Sequence, residues 1–252
     1  MTHSNRRGGG RRGGGGSDPL AAAEASINSI ANLVINLDDR DLATGALTHW
    51  IDRKNAYDFA GTATKGASGV TGNGTSNVLT STAAISQING ASAVTIIAAM
   101  SDTWSGAGTK IPYELSAGGA TTDAFAAYVD TSGGRLHSYL AGDIGISDYY
   151  IAETLATPCV ITQQMDKALA TAEAALFRKN GSVVASTLAT NTNNTNTFGS
   201  YTLNLLSRAG GVGSTWWSGS FRKFLLFSRA LTAGEMLQAE RAVGIITGIT
   251  VA

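Results

Sequence analysis

The stretch WSGSFRKFLLFSRALTAGE, residues 217–235, decides the architecture of this chain. Its middle, KFLLF, is nearly continuous in apolar residues, which suits a strand buried on both faces. Its end, from Thr232 to Glu235, is a T-x-x-E capping box, in which hydroxyl and carboxylate each satisfy a backbone N–H at a helix start. Met236, Leu237 and the run 239–242 carry that helix on, and Gly244 is its expected stop. A buried strand feeding a helix therefore closes the chain.

Upstream of it, from Asn32 onward, the same texture recurs in short form. NLVINLD, SAVTIIAAM, DAFAAYVD, RLHSYLAG, CVITQQMD, AALFRKNG and YTLNLLSRA are apolar-alternating segments. Between them sit the turn clusters KGASG, GNGTSN, SGAG, SAGGA, TSGG, NTNNTN and AGGVGS. Short strands with regular Gly/Asn/Ser punctuation predict an antiparallel β-sandwich. RLHSYL alternates strictly, TIIAAM reads as a second central strand, and Asn180-Gly181 is a strong hairpin signal.

The N-terminal part is different. Residues 1–16 hold seven glycines and four arginines with nothing to bury, so alone in water they predict a disordered arm. Ser17 or Asp18 then caps a short helix over 17–31, with Pro19 just inside it and an apolar stripe of Leu20, Ile27, Ile30 and Ala31. That helix either packs on its own domain or docks on a neighbouring subunit. The sandwich domain is expected over 32–252.

Charge follows the same division. The chain has 252 residues with 18 basic and 18 acidic side chains, but residues 1–17 carry four arginines and no acid. The body is thus net acidic and lacks the broad basic surface of a nucleic-acid binder. Charged residues are only 14% of the chain, against about 25% in an average soluble protein, so Ser, Thr, Asn and Gly must supply the polar surface. No apolar run reaches the roughly 18 residues of a membrane span, and no apolar stretch follows the first arginines as in a secretory signal. Cys159 is the sole cysteine, which excludes an internal disulfide and a Cys-based zinc site.

With these segments in place, the chain resembles the concanavalin A-like lectin/glucanase superfamily, in its laminin-G-like jelly-roll form found in bacterial and phage proteins. INLDDRDLATGALTHWIDRKN, with Trp50 and Asp52, resembles the family's Asp-rich text and Trp-x-Asp segment; GNGTSNVL at 72–79 resembles its Gly-x-Ser-(Asp/Asn)-x-Leu phrase. QQMDKALATAEAALFRKNGS is similar to its strand, reverse turn and Asn-Gly hairpin, and residues 217–235 follow its closing signature. The likeness covers about residues 32–245, and departs where Arg53-Lys54-Asn55-Ala56 replaces the usual Ser-Gly-Asn-Gly. In the closing phrase Arg229, Glu235 and Trp217 read as residues that keep the fold.

The resemblance implies a non-catalytic structural protein of a phage virion, such as a capsid decoration protein, head fibre or tail-fibre component. Its place would be the virion, assembled in the host cytoplasm as a homo-oligomer beside capsid or tail proteins. The alternative is a carbohydrate-binding adhesin that engages host surface glycans. A third class, a glycan-active enzyme, loses its support because none of Glu24, Glu114, Glu153, Glu173, Glu235 and Glu240 falls in the Glu-x-Asp-x-x-Glu strand that places two carboxylates for retaining hydrolysis. The expectation is no enzymatic activity.

Three candidate sites remain. Arg6, Arg7, Arg11 and Arg12 can fork onto carboxylates or phosphates, and read as a tether onto an assembly partner more than as a nucleic-acid contact, which four charges would make weak and salt-dependent. Trp104 and Trp216 are aromatic candidates for glycan stacking, with Trp217 facing inward beside an outward Trp216. Asp38, Asp39 and Asp41 are the one acidic cluster, whose hard oxygens suit Ca²⁺ if they are not simply a solvated turn; no other metal or cofactor is expected. His137 reads as a solvated or cross-strand residue, and Cys159 as a small core residue.

Overall fold

A pair of helices, two β-layers and an outer face that carries neither of those helices succeed one another through the molecule. The structure is a computed structural model and describes residues 18–102, 108–117, 122–130, 134–142, 145–153, 155–169, 174–192, 197–208 and 215–252. Helix α1 spans Pro19–Asn28 and α2 spans Ala233–Thr247. The strands are β1 (Leu33–Asp38), β2 (Gly45–Ile51), β3 (Asp58–Gly66), β4 (Gly69–Thr71), β5 (Val78–Ser81), β6 (Ala93–Ser101), β7 (Lys110–Leu115) and β8 (Phe125–Asp130). They continue as β9 (Arg135–Ala141), β10 (Ile146–Ile151), β11 (Cys159–Asp166), β12 (Ala175–Lys179), β13 (Ser182–Val184), β14 (Thr187–Asn191), β15 (Leu203–Leu205) and β16 (Ser220–Phe227).

All pairings are antiparallel and form one continuous ladder, β13-β12-β11-β6-β16-β4-β3-β5-β15-β7-β8-β9-β10-β14, with β1 beside β16 and β2 beside β3. Its two ends fold over each other as an all-β sandwich. Between the layers lie Ile96, Met100, Ile161, Phe177, Phe224 and Leu226 from one side and Tyr113, Phe125, Leu136, Leu140, Tyr149 and Leu203 from the other. Tyr113 meets Phe224 edge-on at 5.3 Å across the gap.

β6 and β16 are buried nearly throughout because both faces of each are covered. Ile97, Ala99, Leu225 and Phe227 point away from the sandwich core into a second apolar cluster, completed by Ala23, Ile27 and Ile30 around α1 and by Met236, Ala239, Val243 and Ile246 on α2. The near-continuous apolar runs of these strands thus have a physical cause: a helix layer over the back of the sheet.

Local signals do what their chemistry demands. Asp18 caps α1 by accepting from Leu20 N at 2.9 Å, and α1 packs on its own chain beside α2. The capping box of Thr232 and Glu235 is fully formed, and Asn180 and Gly181 (φ 50° and 90°) make the two-residue turn of the β12–β13 hairpin. α2 does not stop at Gly244 but runs on to Thr247, with Gly248 in the left-handed conformation as its cap. Gly244 serves close packing instead: a Cβ there would stand 2.6 Å from the carbonyl oxygen of Ile249. The departure at Arg53–Ala56 still turns, because Asp52 accepts from the backbones of Asn36, Lys54 and Asn55 while Ala56 takes a positive φ of 56°.

Candidate functional site

Opposite the helices, the second layer turns outward a face built by register. Cross-strand partners place Thr80, Asn204, Glu114, Ala126, Tyr139, Asp148 and Thr190 side by side across seven strands, β5-β15-β7-β8-β9-β10-β14. The neighbouring row is Tyr128, His137, Tyr150 and Thr187, and beyond it Asp130 faces Arg135. All these residues alternate with the core-facing ones, such as Leu136 and Leu140 on β9, so the strict pattern of RLHSYL puts His137 and Tyr139 on this face.

The second row is a stack of upright rings. Tyr128 lies parallel to His137 at 4.0 Å, His137 tilts toward Tyr150 at 5.2 Å, and the Arg135 guanidinium sits 4.4 Å above the Tyr150 ring. His137 is buried between carboxylates, with Nδ1 3.0 Å from Asp148 and Nε2 3.2 Å from Asp130. Tyr128 donates its hydroxyl to Asp148; burial and then that hydrogen bond push the phenol far above its ordinary range. The strand beneath is pinned through the core. Gln163 on β11 donates to the His137 carbonyl at 3.0 Å and to Ser138 Oγ at 2.6 Å, while accepting from Tyr113.

The first row leaves one ring open. Tyr139 is half-buried and stands beside the small Ala126, with Asp148 as its cross-strand neighbour. Burial raises its hydroxyl, the nearby Arg208 opposes that, and Asp148 and Glu114 add to it. Arg208 pairs with Glu114 at 3.2 Å, and Glu114 is nearly fully buried beside Asn204. A half-exposed phenol and a guanidinium thus meet above two nearly buried carboxylates, a mix of apolar plane and hydrogen-bonding groups of the kind that binds small polar ligands.

The candidates named from sequence fall elsewhere. Arg6, Arg7, Arg11 and Arg12 lie outside the described residues, as does Trp104. Trp217 is fully buried against Phe221 at 4.8 Å, whereas Trp216 is half-exposed next to it. Asp38, Asp39 and Asp41 do not converge on one point. Asp38 is fully buried against Lys223 Nζ (2.9 Å) and Arg40, Asp39 pairs with Lys65 at 2.9 Å, and Asp41 with Arg53 at 2.5 Å. Burial alone would raise the Asp38 carboxyl, but hydrogen bonds from Arg40 and the charge of Lys223 hold it well below the usual range. Among the described residues no group of three or more His, Cys, Asp or Glu has a metal-holding arrangement.

Asp38 belongs instead to a fastening for α1. Glu24 Oε1 on that helix receives Arg40 at 2.6 Å, Arg53 at 2.7 Å and Lys223 at 2.8 Å. Arg229 holds Glu235 at 2.6 Å, as a residue that keeps the fold should. His137 is a cross-strand residue but a buried one. Cys159 is buried in the core, and burial pushes its thiol up to about 11. Tyr128, Tyr139, Tyr150, Asp148 and Glu114 were missed from sequence; only the alternation in RLHSYL signalled part of that face.

No protein-family model matches the chain, and no curated protein is similar to it in sequence. Solved structures are similar in fold. Trypanosoma rangeli sialidase in complex with sialic acid shares 14% identity at a TM-score of 0.63, over 90% of this chain and 38% of that one. The same sialidase solved as a covalent intermediate with 2,3-difluorosialic acid gives 0.61 at 14% identity. The binding domain of botulinum neurotoxin serotype C1 gives 0.57 at 9% identity, over 87% of this chain and 53% of that one. The chain spans under two-fifths of the sialidase and about half of the toxin domain.

These likenesses establish a β-sandwich of the jelly-roll kind. They also correct the expectation that the chain has no enzymatic activity. That expectation rested on the missing Glu-x-Asp-x-x-Glu strand, yet the fold occurs within chains that are sialidases, so the motif speaks to one glycosidase arrangement only.

Proposed function

We propose that this chain is a glycan-recognition module of concanavalin A-like form, taking its ligand on the outward face of β7–β10 around Tyr139. The observation that carries this reading is the polar row across seven strands, broken only by Ala126, with the open Tyr139 ring standing between that alanine and Asp148. Sugars present hydroxyls on their edges and an apolar C–H face, and here a half-exposed ring and its hydroxyl stand by a half-exposed guanidinium, Arg208. The binding-domain and sialidase neighbours support the choice of ligand class at the level of fold. A glycan array probed with the full chain tests it. Retention of specific glycans by the wild type, and their loss in Tyr139→Ala with unchanged thermal unfolding, is expected; retention in that variant places the ligand elsewhere.

A second reading, in which the module is carried on a phage particle as a fibre or decoration protein, is favoured by the fastening of α1. Residues 1–17 run directly into a helix that three cations and an apolar cluster lock to the sheet, so tension on that segment reaches the whole sandwich. Deleting residues 1–17 should abolish attachment to the particle and leave the unfolding temperature within error; attachment that survives the deletion removes the tether.

A further inference from the structure

Building on that reading, we infer that the ligand at Tyr139 is an uncharged sugar rather than a sialylated or otherwise anionic one. The argument rests on how the cations of this face are already used. Among the described residues of β7–β10 and the segment after β15, the basic side chains are Lys110, Arg135, His137 and Arg208. Arg208 is held by Glu114 at 3.2 Å, and Arg135 lies over the Tyr150 ring with Asp130 4.0 Å away. His137 is enclosed by Asp130 and Asp148, and Lys110 is buried and engaged. Each cation therefore faces a carboxylate or is withdrawn from solvent.

At the open ring one guanidinium, Arg208, stands against two acids. Tyr139 feels Glu114 and Asp148 together, and both are nearly buried, so solvent screens them less than surface charges. An anionic sugar placed on Tyr139 would bring its carboxylate against these two. The one guanidinium at hand, Arg208, already balances the nearly buried Glu114, so an anion sharing it would set three negative groups against one cation. A neutral sugar meets no such cost. Its hydroxyls exchange hydrogen bonds with the half-exposed Arg208 and the Tyr139 hydroxyl, and its C–H face rests on the ring. The site thus combines attraction for a polyol with a built-in penalty against a charge of the wrong sign.

Calorimetry on pairs of oligosaccharides that differ only by a terminal sialic acid, drawn from the array hits, tests this. The asialo partner should bind about tenfold tighter or better, with an affinity little changed by added salt. Tyr139→Ala should weaken it about tenfold, and Tyr139→Phe much less. Glu114→Gln keeps the shape and releases Arg208, so it should move the preference toward the sialylated partner. If the sialylated partner binds tighter to the wild type and Tyr139→Ala abolishes that binding, the glycan site stands and its neutral preference is overturned. If Tyr139→Ala leaves all binding unchanged, the reading of this face as the glycan site fails, and this inference with it.

Discussion

The two outer faces of the sandwich carry charge in opposite styles. On the back, under the helices, acid and base are matched in closed pairs: Glu240 with Arg178, Asp38 with Lys223, Glu24 with three cations. On the front, the acids of the pairs are sunk between half-exposed tyrosines, whose rings, with the Arg135 and Arg208 guanidiniums, stay in reach of solvent. Both faces descend from alternation along the strands, but only the back is roofed by apolar helix surface. Closed pairs hold elements together, and open ones are available to something outside.

The largest effect that would break this contrast is expected on the back. Glu240 is 1% exposed, receives the Thr162 hydroxyl at 2.6 Å and holds Arg178 through two contacts, so Glu240→Ala strands a buried guanidinium. A loss of about 3–5 kcal/mol in urea unfolding is expected; a loss near zero would make that pair ornamental. Glu24→Gln should cost less, about 2 kcal/mol, because Asp38 keeps Lys223 and Arg40 occupied. Its signature is local: faster amide exchange in α1 with the sheet unchanged. Cys159 offers an internal standard, since its buried thiol should react with alkylating reagents only on global opening, much sooner in Glu240→Ala and less so in Glu24→Gln.

Smaller still is the contribution of the α2 cap, and it depends on pH. Hydrogen bonds from Arg229 and from the Thr232 backbone hold Glu235 down to about 2. A carboxylate depressed by folding adds stability above its unfolded value, roughly 4.3, and loses it as pH falls toward the folded one. Glu235→Gln should therefore lower the unfolding temperature at neutral pH, by an amount equivalent to about 1 kcal/mol, and match the wild type near pH 2. A difference that persisted in acid would assign the effect to packing. On the front, Tyr150→Ala should cost the least, about 0.5 kcal/mol, the worth of an exposed cation–π contact beside a tilted ring. A loss as large as that of Glu240→Ala would mean the front face, too, is built to hold the fold.

The sequence was most informative where neighbours in the chain are neighbours in space. KFLLF and TIIAAM announce doubly buried strands, Asn180-Gly181 its hairpin, and Thr232 with Glu235 its cap, because each pattern is complete within a few residues. The front face is illegible by the same logic. Its first row draws residues from position 80 to position 204 onto one line, and only the pairing register aligns them. Asp38, Asp39 and Asp41 look like a cation site for the converse reason: their partners Lys65 and Lys223 arrive from distant strands. Gly244 misleads because a glycine inside a helix and one that ends it look alike until the packed tail of residues 249–251 is known.

The last residue of the chain is bonded at the back as well. Ala252 donates its N–H to the Asn180 carbonyl at the β12–β13 turn, and its carbonyl accepts from Arg241 on α2. Asp18 begins α1 in the same helix layer. Both exits from the folded body therefore open away from the tyrosine row, which gives the domain a fixed polarity. A chain, a surface or a bead joined at either end would hold it by its helices and turn Tyr139 toward the medium.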